Sequence, residues 1–359
     1  MNKRQDKINS ILVRSTNWIG DAVMTTPALR AIRESFPDAR VTILANGLVA
    51  PLFAVHDAVD DVIVYDRKGA HAGFGGKIRL ARELSSRKFD LAILLQNAID
   101  AALIAWLARI PRRMGYRTDG RGLLLTHGVS VSEDIRRLHH VEYYLNMLGR
   151  FGVTTGDKSL NLCTASGEDL ALAELLAGHG VGKGDFLLGI NPGASYGAAK
   201  RWYPERFAAV ADRLAQRWGA RVVVTGGPGE ADIAADIAAA MTSPCLVMAG
   251  KTSVRELMAL IKRCDFFVTN DSGPMHIAAA FGVPLVAVFG PTDHTTTSPW
   301  CDTAAIIRRD TDCAPCLLRE CPTDHRCMTA VTVEDVVETA EELRKTLEYR
   351  TQAQSERSR

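Results

Sequence analysis

Three groups of residues in this 359-residue chain have types and spacings that chemistry can use. The first is Thr269-Asn270-Asp271-Ser272-Gly273-Pro274-Met275-His276, preceded by the apolar run Asp265-Phe266-Phe267-Val268 and followed by small residues as far as Gly282. The apolar run reads as a buried parallel strand, Ser272 as a helix N-cap, and Gly282 as the helix stop. Unpaired N–H groups of the first helical turn, with Gly273 admitting close approach, would suit a phosphate at the strand's carboxyl end. The plainer alternative is a well-capped structural helix. The second group is Asp21, directly after Gly20 at a strand-to-helix turn. A carboxylate there can serve as the base that a hydroxyl nucleophile needs, or it can simply favour the helix dipole.

The third group is Cys313, Cys316, Cys321 and Cys327, spaced C-x2-C-x4-C-x5-C with His325 inside. Four thiolates so spaced can close a structural zinc site. Zinc ribbons, however, pair two tight knuckles and only one is present, so packed thiols or a disulfide are equally open and no metal is assigned. The run Gly226-Gly227-Pro228-Gly229 lacks the Gly-x-Gly-x-x-Gly spacing of a dinucleotide fingerprint, which argues against a nicotinamide enzyme.

The elements that must position these residues alternate. Strands are expected at residues 11–13, 41–44, 62–64 and 91–95, with helices at 21–35, 77–84, 101–108 and 139–148. After a Gly-, Thr-, Asp- and Lys-rich stretch between 152 and 184, holding one short helix at 168–176, strands recur at 187–190, 221–225, 265–268 and 285–289. The helices between them fall at 204–218, 230–241 and 254–262. This is the rhythm of α/β folding, and two Rossmann-like doubly wound sheets facing each other across a cleft are the expected architecture. The expected division is residues 1–165 for one domain and 180–330 for the other. A C-terminal helix (331–350) should pack back on the first domain, with a disordered tail at 351–359.

Composition is that of an ordinary globular protein, 47% hydrophobic and 23% charged, and a net charge of +2 gives no reason to expect a nucleic-acid binder. No apolar run is long enough to span a bilayer, and the charged first ten residues hold no signal-peptide core, so a cytoplasmic protein is expected.

Four stretches taken together are more specific than any of them alone: Asn17-Trp18-Ile19-Gly20-Asp21, the run from Pro192 to Trp202, Asn270 to His276, and the cysteine segment ending at Met328. In this combination the chain resembles the ADP-heptose:lipopolysaccharide heptosyltransferases, on the heptosyltransferase II side of that family, over nearly its whole length. The resemblance implies a GT-B glycosyltransferase that inverts and needs no metal or other cofactor. ADP-heptose would lie on the second domain and a Kdo- and heptose-bearing lipid A on the first, with peripheral contact at the cytosolic face of the inner membrane and no nucleic-acid partner. A first-heptose transferase acting on Kdo2-lipid A is the near alternative. A sugar-nucleotide epimerase and a non-catalytic nucleotide-sugar binder are the distant ones. One departure is Tyr203, where the family often has Pro after the Trp, which bears on the local turn.

The resemblance also implies roles. Asp21 would be the base, and Lys200 would neutralise the departing diphosphate, assisted by Ser195. Glu230 would accept from the ribose hydroxyls. Asp271, Ser272, Gly273, Met275 and His276 would complete the donor site, with His276 one turn beyond Ser272 on the same face. Two basic runs, Arg67-Lys68-Lys77-Arg79-Arg82-Arg87-Lys88 and Arg109-Arg112-Arg113-Arg117-Arg121, read either as solvated faces or as contacts to anionic head groups.

Overall fold

The structure is a computed structural model that describes residues 7–357, side chains through Arg350. Most of the charged N-terminal stretch and the last two residues of the expected tail lie outside the described residues. The chain divides into two compact units, Met1–Cys163 and Thr164–Arg359.

Each unit is built on six parallel strands. In the first they are β1 (Ser10–Arg14), β2 (Arg40–Ala45), β3 (Asp61–Val64), β4 (Leu91–Leu94), β5 (Arg112–Tyr116) and β6 (His127–Val129). In the second they are β7 (Leu187–Asn191), β8 (Arg221–Val224), β9 (Cys245–Val247), β10 (Phe266–Asn270), β11 (Leu285–Val288) and β12 (Ala304–Ile307). The orders are β3-β2-β1-β4-β5-β6 and β12-β11-β10-β7-β8-β9, the same doubly wound topology twice. Strand order therefore reverses between β1 and β4, paired Arg14 to Leu94, and between β7 and β10, paired Thr269 to Asn191. In such sheets the crevice beyond the carboxyl ends at the reversal point receives ligands. The central strands are buried on both faces, as their near-continuous apolar runs require.

Strands β5, β6, β9 and β12 were not legible as strands. Arg112-Arg113-Met114-Gly115-Tyr116 lacks a β-branched residue, and pairing with β4 fixes its conformation instead. The expected helix at 21–35 is two helices, Ile19–Met24 and Thr26–Ser35. Pro27 has no N–H to offer the carbonyl of Val23, which instead accepts from the Thr26 hydroxyl at 2.8 Å.

The helix Ser166–Gly178 belongs to the second unit, tied there by Arg255 to Glu168 and by Lys262 to Asp169 at 2.8 Å. Helix Val333–Arg357, expected against the first domain, packs on helix Pro204–Trp218 and on β11 and β12 of the second unit. Its Val336, Val337 and Ala340 enter the core that holds Trp202 and Phe207. Arg213 to Glu334 and Arg217 to Glu341 flank that seam at 2.7 and 2.5 Å. The helix runs on to Arg357 where a disordered tail was expected from 351; Glu, Lys, Arg, Ala and Gln are strong helix formers.

Candidate active site

In the second unit, three loops meet at the reversal point between β7 and β10. The loop after β7 carries Ser195, exposed, and ends in the 3-10 turn Ala198–Lys200. Lys200 Nζ lies 2.6 Å from Asp271 Oδ2, both side chains nearly buried at 12% and 5% exposure. The Thr292 hydroxyl donates to the same carboxylate oxygen at 2.5 Å. Asn270, fully buried, ties the loops together: its amide donates to Pro192 O at 2.7 Å and its carbonyl accepts from Trp202 N at 3.1 Å.

Ser272 stands at the N-cap of helix Gly273–Ala280, but its hydroxyl makes no cap bond. It accepts instead from Asn191 Nδ2 at 3.0 Å, and Asn191 also donates to Thr269 Oγ1 at 3.1 Å. The helix thus lacks the side-chain cap expected from Ser272, and Pro274 has no N–H to satisfy. Met275 and His276 are buried in that first turn.

Glu230 closes the third side. Its carboxylate accepts from Gly227 N at 2.7 Å and rests on Gly193, where a Cβ would fall 2.1 Å from Glu230 Cδ. Gly193 is therefore required by close approach, and one Glu230 oxygen is engaged by its own loop. Asp271, Ser272 and Gly273 stand with Lys200 at the reversal point, while Glu230 joins through Gly193.

The cysteine segment braces the Lys200 loop. Ala199 N donates to Arg319 O at 2.9 Å, His325 Nε2 donates to Ala199 O at 2.7 Å, and Tyr196 Oη donates to Leu317 O at 2.7 Å. Gly197 lies so close to Arg319 that a Cβ would sit 2.3 Å from its carbonyl oxygen. Cys313 and Cys316 are exposed thiols, while Cys327 and Met328 are buried in the unit's core. Among the described residues no group of three or more His, Cys, Asp or Glu side chains is arranged to hold a metal ion. Tyr203 keeps the turn, because Pro204 takes the first helical position after it.

In the first unit, Asp21 lies in the first turn of helix Ile19–Met24, beyond the carboxyl end of β1. Its Oδ1 accepts from His140 Nδ1 at 3.1 Å, both side chains about one-third exposed. His140 begins helix His140–Gly149, which packs against the Asp21 helix, a pairing that no local motif announces. Arg14, another residue the sequence left unremarked, is buried at the end of β1 and organises the turn. It donates to Ser15 O at 2.6 Å, Leu44 O at 3.2 Å and Asn17 Oδ1 at 3.1 Å, and burial lowers its guanidinium pKa to about 10. The buried hydroxyls of Ser15 and Thr16 beside it have no hydrogen-bond partner among the described residues, so this edge offers polar groups to a ligand.

The second basic run is not one surface. Arg121 is fully buried and donates to Tyr116 O at 2.8 Å and Asn97 Oδ1 at 3.1 Å, and Arg113 donates to Leu124 O at 2.6 Å. These two staple β5 to the loops around it, leaving Arg109 and Arg117 exposed.

Known proteins share both units. A lipooligosaccharide heptosyltransferase 2 of Campylobacter jejuni is 31% identical over 93% of this chain and 98% of its own. A glycosyl transferase family 9 structure from Veillonella parvula superposes with a TM-score of 0.85 at 28% identity, covering 95% of this chain and 99% of that one. The E. coli ADP-heptose LPS heptosyltransferase II superposes with a TM-score of 0.81 at 27% identity, covering 94% and 99%. Residues 77–326, which run from the first unit through the Lys200, Glu230 and Asp271 loops to the cysteine segment, match glycosyltransferase family 9 (heptosyltransferase), and the chain belongs to that family of GT-B enzymes.

Proposed function

We propose that this glycosyltransferase moves a heptosyl group from ADP-heptose to heptosyl-Kdo2-lipid A with inversion, as a heptosyltransferase of the second type. The observation that carries the reading is that each sheet presents reactive side chains at its own reversal point: Asp21 with His140 on the first, Lys200 with Asp271 on the second. Relatives named heptosyltransferase 2 support the choice of donor and acceptor.

Asp21 takes the proton from the acceptor hydroxyl as its oxygen bonds to the anomeric carbon. The bond from that carbon to the phosphate oxygen breaks on the opposite face, and ADP leaves with the electron pair. His140 holds the carboxylate in place. Negative charge growing on the diphosphate is met by Lys200, whose ammonium has donors to spare beyond Asp271, and by the first-turn N–H groups of helix Gly273–Ala280. Ser195 is placed on the same loop to bond a phosphate oxygen, and Glu230 takes the ribose hydroxyls with its remaining oxygen. With a fixed ammonium and a helix terminus in place, transfer is expected to proceed without a divalent metal. The enzyme would work at the cytosolic face of the inner membrane, where its lipid acceptor is found; no helix among the described residues is long and apolar enough to cross a membrane.

ADP release from ADP-heptose in EDTA, with and without acceptor, tests this. Release only with heptosyl-Kdo2-lipid A supports it. Release only with Kdo2-lipid A moves the enzyme to the first-heptose type. Turnover of donor alone indicates an epimerase, and tight ADP binding without any turnover indicates a binding protein.

A further inference from the structure

Helix Ile99–Leu107 of the first unit is apolar on both sides. Its inner side, Ala101, Ala102, Ile104 and Ala105, is buried against the sheet. Its outer side carries Ile99, Leu103 and Trp106 at i, i+4 and i+7, one continuous stripe, with Ile99 and Trp106 about half exposed. A surface helix normally turns polar residues outward, so an apolar outer stripe marks a contact surface.

Neighbouring elements extend it. Lys77 Nζ forms an ion pair with Asp100 Oδ1 at 2.5 Å, fastening helix Gly73–Ser86, which packs against this helix and carries exposed Phe74 one turn before Lys77. The 3-10 turn Arg121–Leu124 packs on the same helix. Arg121 anchors the turn from within and Leu124 packs on the core, so Leu123 between them is 98% exposed on a fixed backbone.

Two cations border the apolar residues. Arg109 N donates to Trp106 O at 2.9 Å, which sets Arg109 one turn from the tryptophan. The stem of Arg117 lies within 4 Å of where Gly122 would carry a Cβ, next to Leu123. Of the acids, Asp100 is neutralised by Lys77, and Asp119 is held to the helix start by Ile99 N at 3.0 Å.

We propose that this face, Phe74, Ile99, Leu103, Trp106 and Leu123 with Arg109 and Arg117, docks the enzyme on an anionic lipid surface. A tryptophan and protruding aliphatic side chains beside arginines suit the interface between head groups and acyl chains. A second copy of the chain fits less well, since a two-fold contact would turn each copy's arginine pair toward the other's. The helix starts beyond the carboxyl end of β4, the strand paired with β1, whose following turn holds Asp21. The face thus begins at the edge where a sugar linked to a membrane lipid would meet the base. This rests on the reading of a lipid-linked acceptor.

The test compares wild type with Trp106→Ser/Leu123→Ser and Arg109→Gln/Arg117→Gln in sedimentation with phosphatidylglycerol-containing vesicles and with pure phosphatidylcholine vesicles. Transfer is assayed in parallel on acceptor in vesicles and on deacylated, soluble acceptor. Wild type should bind the anionic vesicles preferentially. The apolar pair should weaken binding about tenfold or more, and the arginine pair roughly fivefold per charge. Both variants should keep wild-type transfer to the soluble acceptor. If the apolar pair fails to fold, Leu123→Ser alone carries the test. Unchanged vesicle binding in both variants overturns the proposal, as does a wild-type dimer that the apolar pair splits. Absence of transfer by wild type to either acceptor would overturn the enzymatic reading, and the vesicle-binding result would then decide on the docking face by itself.

Discussion

Lys200→Met separates what Lys200 does for the fold from what it does for the reaction. The mutation leaves Asp271, 5% exposed, with the Thr292 hydroxyl in place of a cation at 2.6 Å. An uncompensated carboxylate in so dry a site costs about 3–5 kcal/mol when one partner of a buried pair is removed. Adding Asp271→Asn removes the stranded charge, and because neutral replacements of buried pairs are often close to neutral in stability, most of that loss should return. Transfer should behave differently. If Lys200 meets the charge on departing diphosphate, both the single and the double variant lose about 10²–10³ in kcat, roughly 2.7–4 kcal/mol of transition-state stabilisation. Urea unfolding gives the first quantity and initial rates of acceptor-dependent ADP release the second. A double variant that regains both stability and transfer would show Lys200 to be only a counter-ion to Asp271. A single variant as stable as wild type would refute the assigned worth of the pair.

Three further outcomes follow from the geometry. Gly193→Ala places a methyl 2.1 Å from Glu230 Cδ, so Glu230 must leave its bond to Gly227 N; calorimetry should show ADP binding weakened by about tenfold or more, with the Asp21 unit untouched. His140→Ala takes away the 3.1 Å donor to Asp21, and loss of a hydrogen bond to a charged group should lower kcat about tenfold to a hundredfold while ADP affinity stays at the wild-type value. Burial pushes the Asp212 carboxyl up, but hydrogen bonds from Thr242 and Ser243 outweigh it and hold the group below the usual aspartate range. Its stabilising effect is therefore present above the unfolded aspartate pKa of about 4 and lost as pH falls through the lower folded value, and Asp212→Asn should flatten that part of the acid-unfolding curve.

Much of the fold was legible because central parallel strands are buried on both faces and write themselves as short apolar runs, as Phe266-Phe267-Val268 does. The strands that escaped notice lie toward the sheet edges, where pairing overrides weak intrinsic preference. Arg112-Arg113-Met114 pairs with β4 and looked like part of a basic surface. The C-terminal helix was legible as a helix, but the sequence does not state which core will accept Val336 and Val337.

At the site, the local motifs announced their backbone: a Gly before Asp21, a Gly-Pro turn after Ser272. What sequence reasoning missed are side chains brought in from far along the chain. His140 lies 119 residues from Asp21, and Thr292 lies 21 from Asp271. The brace of the Lys200 loop by Arg319 and His325 was hidden for the same reason, because the cysteine spacing drew attention to metal chemistry rather than to main-chain contacts. Ser272 shows the limit of motif reading: its position at the helix start was predictable, but the competition that Asn191 wins for its hydroxyl was not.

The division of labour between the two units is tested most directly by Asp21→Ala, measuring acceptor-dependent ADP release and ADP affinity on the same preparation. Transfer should fall by about 10²–10⁴, the range a positioned base contributes, with ADP bound as tightly as by wild type. Near-normal turnover in that variant would rule Asp21 out as the base.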